Sequence, residues 1–209
     1  MNWKIWILVP IAYLAFALWY FNWSGPLSPE EVESFLAVID QQEAGNYTDR
    51  DVFRQFLEED DGKEFVMVNL VQFHQGGIEH PVTSELTTGR ELVESYFQPF
   101  ALALFKRGGH PVFQARTVGG PIDTWNADEN KPFAATAMMR YRSRRDMLEL
   151  VVAPAFADGH IYKLAAIERT ISYPTQYVLT TSLRPPAAVL IVLLLLASVA
   201  QNLVFWRQR

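Results

Sequence analysis

The four histidines, His74, His80, His110 and His160, are the side chains best suited to bind a metal or carry a proton near neutral pH. None stands in an HxH, HExxH or i,i+4 arrangement that would preorganise metal ligands. His74 and His80 share one loop, where turn and capping roles suit them. His160 follows Asp158 by two residues, a spacing that fits a general base or a polar turn. The chain has no cysteine, so disulfides, thiolate metal sites and cysteine nucleophiles are all excluded. The doublets Gly76-Gly77, Gly108-Gly109 and Gly119-Gly120 lack the strand and helix context of a phosphate-binding loop, and no GxSxG elbow occurs. No metal, no cofactor and no catalytic set is expected. The cluster Arg140, Arg142, Arg144 and Arg145 has the chemistry to grip an anionic ligand or lipid headgroup. With Asp146 and Glu149 following, it equally suits a solvated helix start.

The elements that position these groups follow from periodicity and caps. Ser28-Pro29-Glu30-Glu31 combines a serine cap, a first-turn proline and the glutamate of a capping box. Val32, Phe35, Leu36 and Ile39 then share one face, which predicts a helix to about Gln42, broken at Gly45 and Asn46. A second helix is expected over 49–59, and the acidic run Glu58 to Asp61 suits a solvated turn. Residues 64–73, apolar on both faces, predict a central strand. A long amphipathic helix over 88–106 follows, stopped by Gly108-Gly109, then strands over 112–118 and 133–142. Ser143 caps a helix of about ten residues, interrupted at Pro154 and Gly159, and a last strand is expected over 164–173. The order β-α-β-β-α-β after a helical preamble makes the middle an α+β domain of the ferredoxin-like type.

Strict alternation along these strands sorts their side chains into two faces. Gln114 and Arg116, then Thr136, Met138 and Arg140, then Glu168, Thr170 and Ser172 fall on a polar face. Phe113 and Ala115, then Phe133, Ala135, Ala137 and Met139, then Ile167 and Ile171 fall on an apolar one. The apolar face should pack the helices. Arg116, Arg140 and Glu168 would then meet on the opposite face, paired with one another across a dimer or with a polar ligand, or forming wet structural salt bridges.

The chain ends are a different material. Half of all residues are hydrophobic, yet every one of the 23 acidic residues lies between Glu30 and Glu168. Ile5 to Phe21 and Ala187 to Trp206 carry no charge and are long enough to span a bilayer, the first closing on the aromatics Trp19, Tyr20 and Phe21. No small-x-small pattern follows the first, which favours an uncleaved anchor over a signal peptide. Gln201 and Asn202, near the end of the second, suit snorkelling or a helix contact. The expected organisation is an anchor over 1–23, a helical preamble over 24–62, the α+β domain over 63–183, and a second span with a short basic tail over 184–209. Residues 24–183 hold 14 basic and 23 acidic residues, a net −9 that repels nucleic acid.

The stretch Phe65 to Phe73, Tyr96, Gly108-Gly109 before a strand, Trp125 between two strands, and Arg140-Tyr141-Arg142-Ser143 at a strand-to-helix junction resemble the DUF1330 family of dimeric α/β-barrel proteins. The resemblance covers about half the chain, from Glu64 to Pro174. It implies a ferredoxin-like domain pairing sheet to sheet with a second copy, brings Asn69, Tyr96 and Trp125 forward as ligand or interface residues, and implies no particular reaction. Two functions are open. One is a noncatalytic membrane-tethered module, with lipid around its spans, that forms a homodimer or docks on a membrane complex. The other is a small-ligand enzyme of the cofactor-independent monooxygenase or haem-handling type, its pocket lined by Tyr96, Phe97, Phe100, Trp125 and Tyr141.

Lys4 flanks the outer end of the first span and Arg207 and Arg209 that of the second, while residues 22–49 carry no basic side chain. Basic flanks stay in the cytoplasm, so both termini are expected there and the central domain in the periplasm or its equivalent. A reporter active only outside the cytoplasm should therefore be active when inserted at Gly76 and inactive when fused after Arg209; the reverse pattern would reverse the topology.

Overall fold

The computed structural model describes residues 2–41, 47–126 and 132–207. The expected helix end at Gln42, the break at Gly45 and Asn46, the side chain of Asp158, and Arg209 lie outside the described residues. The chain divides into two compact units, 1–23 with 177–209, and Ser24–Gln176.

The first unit is a pair of helices, α1 (Trp3–Tyr20) and α7 (Pro185–Arg207), both long and apolar enough to cross a membrane. At 1.5 Å per residue they extend about 27 and 34 Å, close to the hydrocarbon thickness of a bilayer. Their apolar side chains are mostly exposed, Leu8 and Leu195 among them, unlike those of a core helix in a soluble protein. The backbone N–H of Asn2 donates to Gln201 Oε1 at 2.8 Å, so the outer ends of the two helices are neighbours. Gln201 thus supplies the helix contact, satisfying a backbone donor that apolar surroundings would leave unpaired.

In the second unit, β1 (Phe65–Phe73), β4 (His110–Arg116), β5 (Ala135–Tyr141) and β6 (Ile167–Thr175) form one antiparallel sheet in the order β4-β5-β1-β6. The helix α4 (Gly89–Lys106) joins β1 to β4, while α5 (Arg144–Val151) and α6 (Pro154–Ala166) join β5 to β6. This is the ferredoxin-like arrangement. Thr88 caps α4 through a complete capping box with Glu91, and α4 continues through Pro99. Inside the loop after β1, two short strands, β2 (Ile78–Glu79) and β3 (Leu86–Thr87), pair as a hairpin.

One segment departs from the sequence expectation. Pro154 opens α6 instead of interrupting a helix, because a first-turn proline gives up an N–H that has no intrahelical partner. Gly159 is accommodated within α6, which runs to Ala166 and delays the last strand to Ile167.

The preamble helices α2 (Pro29–Ile39) and α3 (Arg50–Glu58) contribute Val32, Leu36, Ile39 and Leu57 to the same core as Phe65, Phe100, Leu104, Met139, Tyr141 and Leu148. In the acidic turn after α3, Glu58, Glu59 and Asp61 are exposed as expected, while Asp60 turns inward and makes a seam. Asp60 is almost fully buried, accepts the Leu27 N–H at 2.8 Å and pairs with Arg144 at 3.4 Å. Arg145 pairs with Glu31 and donates to the carbonyls of Gly25 and Pro26. These two arginines hold residues 25–31 and the turn after α3 against α5.

Gly62 closes that seam. Its φ is +70°, and a Cβ there would stand 2.9 Å from Gly25 C and from Pro26 N. Both are backbone atoms that cannot move aside. Gly62→Ala should destabilise the central unit by about 2 to 4 kcal/mol, from left-handed strain and overpacking together. Gly119→Ala, which meets nothing within 4 Å, should change stability by less than about 0.5 kcal/mol. Chemical unfolding followed by circular dichroism reads the difference.

Candidate functional site

Two one-residue bulges determine which side chains face the helices. Along β4 the pairing to β5 shifts between Pro111 and Phe113, leaving Val112 as the extra residue. Along β6 the pairing to β1 shifts at Gln72 and Phe73, leaving Glu168 as the extra residue. Because side chains alternate with a period of two, each bulge reverses the faces beyond it. Gln114 and Arg116 therefore pair with Ala137 and Ala135 on the helix side, and Thr170 and Ser172 pair with Val71 and Asn69 there as well. Phe113, Ala115, Ile171 and Tyr173 turn to the open face. This corrects the expectation from strict alternation, which holds only for β5.

The three charged residues expected to meet are accordingly dispersed. Arg116 is exposed at the end of one edge strand, and Glu168 is exposed in the bulge of the opposite edge strand. Arg140 is 2% exposed and pairs with Glu64 at 2.6 Å, its Nη1 donating to Gly108 O at 2.5 Å. Trp125 is 87% exposed in the connection between β4 and β5 and does not line the cleft described below. The remaining arginines are spoken for: Arg142 pairs with Asp146, and Arg144 and Arg145 hold the preamble. No anion grip is left in that cluster.

What the fold does assemble is a cleft between the sheet and the helices α4 and α6, with a volume of about 140 Å³. Its floor carries Asn69, Val71 and Phe73 of β1, Ala137, Met139 and Tyr141 of β5, Gln114 of β4 and Thr170 of β6. Val93, Tyr96, Phe97 and Phe100 of α4 and Lys163 of α6 cover it. Of the expected site residues, Asn69 and Tyr96 come together here, and of the aromatics expected to line a pocket Phe97, Phe100 and Tyr141 join them. Asn69 is held by its amide, donating to Met67 O and Ala137 O at 3.2 and 3.3 Å while its Oδ1 accepts from Ser172 Oγ at 2.8 Å.

The electrostatics of the cleft come from burial. Tyr96 and Tyr141 are pushed well above the usual phenol range by desolvation, so both are neutral. Burial lowers the Lys163 ammonium, which lies 5.8 Å from the centre of the Tyr96 ring. Next to it, burial and then the Lys163 charge push His160 down to about 4, and its Nδ1 is buried without a hydrogen-bond partner. Lys163 is outside every expected site, and Gln114 was expected on the face away from the helices. A lone lysine in the apolar run Ile161 to Ala166 was the available signal, and Gln114 was hidden by the bulge. His80 caps the hairpin loop, its Nδ1 facing the N–H groups of Val82 and Thr83. No group of three His, Asp or Glu able to hold a metal occurs among the described residues.

No family model and no curated protein matches the chain. Among solved structures, the methylated form of the RPA0582 protein matches with a TM-score of 0.53 at 20% identity, covering 65% of this chain and 96% of that one. The same protein, of unknown function from Rhodopseudomonas palustris, matches in a second structure at 0.49 and 22%, covering 66% and 96%. SnoaB, a cofactor-independent oxygenase from Streptomyces nogalater, matches at 0.37 and 13%, covering 58% and 99%. These likenesses concern the fold.

The pairing of Arg140 with Glu64 generates a stability prediction. Glu64→Gln leaves a buried guanidinium without its counter-charge and should cost about 2 to 4 kcal/mol. Combining it with Arg140→Met should cost less than the sum of the two single changes. Glu168→Gln, at an exposed bulge, should stay within about 0.5 kcal/mol. Urea unfolding of the variants checks all three.

Proposed function

We propose that the chain is a membrane-tethered ferredoxin-like module that pairs with a second copy through the open face of its sheet. The observation that carries this is the apolar character of that face after the two bulges. Phe113, Ile171 and Tyr173 are 50, 43 and 44% exposed, and Val68, Leu70 and Met138 lie on the same side. A contiguous apolar sheet surface in water is an association surface, and a two-fold axis makes one patch complementary to itself. The resemblance to a family that pairs sheet to sheet supports the same partner. Anchoring at both ends supports it further, because confinement to one membrane raises the effective concentration of one copy near another. Both termini lie in the cytoplasm and the paired domains outside it in this reading. Haem handling gains no support, since none of the four histidines lines the cleft among the described residues.

The absence of native cysteine makes the test direct. Ile171→Cys in the full chain, treated in native membranes with a short bismaleimide, should yield a covalent dimer. Ile122→Cys, 97% exposed but in the connection between β4 and β5, should not. Adding Phe113→Asp to the Ile171→Cys chain should reduce the dimer several-fold. Equal cross-linking at the two positions would remove the sheet face as the interface.

A further inference from the structure

We propose that the cleft beside Lys163 is a binding site for a small organic carboxylate with a flat apolar body, such as a substituted benzoate. The inference is independent of the pairing of sheet faces, because the cleft lies on the opposite side of the sheet.

Four features define the ligand. The cleft holds about 140 Å³, comparable to a cavity that accommodates a single benzene ring. Its walls include the stacked pair Tyr96 and Phe100, 5.5 Å apart at 17°, which present aromatic surface to a flat molecule. One cation lines it, and no carboxylate does. Among the described residues Lys163 forms no ion pair; it lies over the face of Tyr96, and no described carboxylate lines the cleft to offset its positive charge. A buried cation without a counter-charge is costly, and an anionic ligand of matching size would remove that cost. Gln114 enters the same space from the sheet and offers an amide donor to a second carboxylate oxygen. A neutral ring would gain the aromatic wall but leave the ammonium unpaired.

Binding an anion also favours the protonated lysine. Burial already draws the ammonium below its ordinary range, so the free site loses its charge as pH rises while the occupied site keeps it longer. Affinity should therefore be greatest near neutrality and fall as the solution becomes alkaline.

The test is equilibrium dialysis of benzoate against the full chain in lipid nanodiscs, with empty nanodiscs as the blank. One saturable site per chain is expected, with benzamide bound at least about tenfold more weakly, as for loss of a charge-assisted contact. Lys163→Met should weaken benzoate by a similar factor and leave benzamide unchanged. Wild-type affinity for benzoate should be lower at about pH 9 than at about pH 7. Absence of saturation, equal binding of benzoate and benzamide, or undiminished binding by Lys163→Met would each overturn the proposal. The benzamide and pH comparisons use the unaltered chain, so they decide the matter even if the variant fails to fold. Loss of cross-linking at Ile171→Cys would leave this site untouched, which separates the two readings.

Discussion

A strand has a side-chain period of two, so one extra residue reverses every side chain beyond it. In this protein the extra residues are Val112 and Glu168, one on each edge strand of the sheet. Together they bring Gln114, Thr170 and Ser172 to the helix side of the sheet and send Phe113, Ile171 and Tyr173 to the opposite surface. The polar groups of the cleft and the apolar open face are thus two results of one constraint. Removing either bulge would put apolar side chains against α4 and α6, and would leave polar ones where two sheets could meet.

The helical preamble is tied to this sheet by charge as well as by packing. Arg144 lies over the Phe56 ring, donates to Phe56 O and pairs with the nearly buried Asp60. Arg145 reaches Glu31 and two backbone carbonyls. Each guanidinium satisfies several acceptors at once, the condition under which a partly buried charge is tolerated. The exposed pairs Arg50 with Asp40 and Arg54 with Glu33 contribute far less, because water screens them. Glu31 illustrates the difference. Arg145 holds its carboxyl down to about 2, whereas the neighbouring Glu30 is fully exposed and only modestly lowered by backbone and serine contacts.

The cleft combines a predominantly apolar wall with a few polar groups whose placement is specific. Asn69 is fixed by three hydrogen bonds to β1, β5 and β6 and so forms a rigid part of the floor. Lys163 has no hydrogen-bonding partner among the described residues, and its charge lowers the neighbouring His160. A rigid amide, two neutral phenols and one lysine amount to a binding environment, with no general base paired to a nucleophile.

The elements themselves were legible in the amino-acid order. Ser28 and Thr88, each three residues before a glutamate, mark helix starts that the structure bears out with complete capping boxes, since capping is a local exchange of hydrogen bonds. The run Phe65 to Phe73 is a central strand for the local reason that it is apolar on both faces. Long apolar ends and the ferredoxin-like order of elements were equally local in origin. The cleft was legible in part, through Asn69 and Tyr96, which the resemblance brought forward, and through the aromatics Phe97, Phe100 and Tyr141. Facing was not legible beyond Val112 and Glu168, because a bulge depends on the partner strand across the ladder, which no periodicity within one strand contains. Nor were the partners of Arg140 and Arg144: Glu64 and Asp60 lie 76 and 84 residues away in the chain and meet them only when the strands pair and the preamble docks. Local hydrogen bonding and hydrophobic periodicity determined which elements form. The pairing of distant strands alone decided which side chains share a face, because register is a property of two strands together.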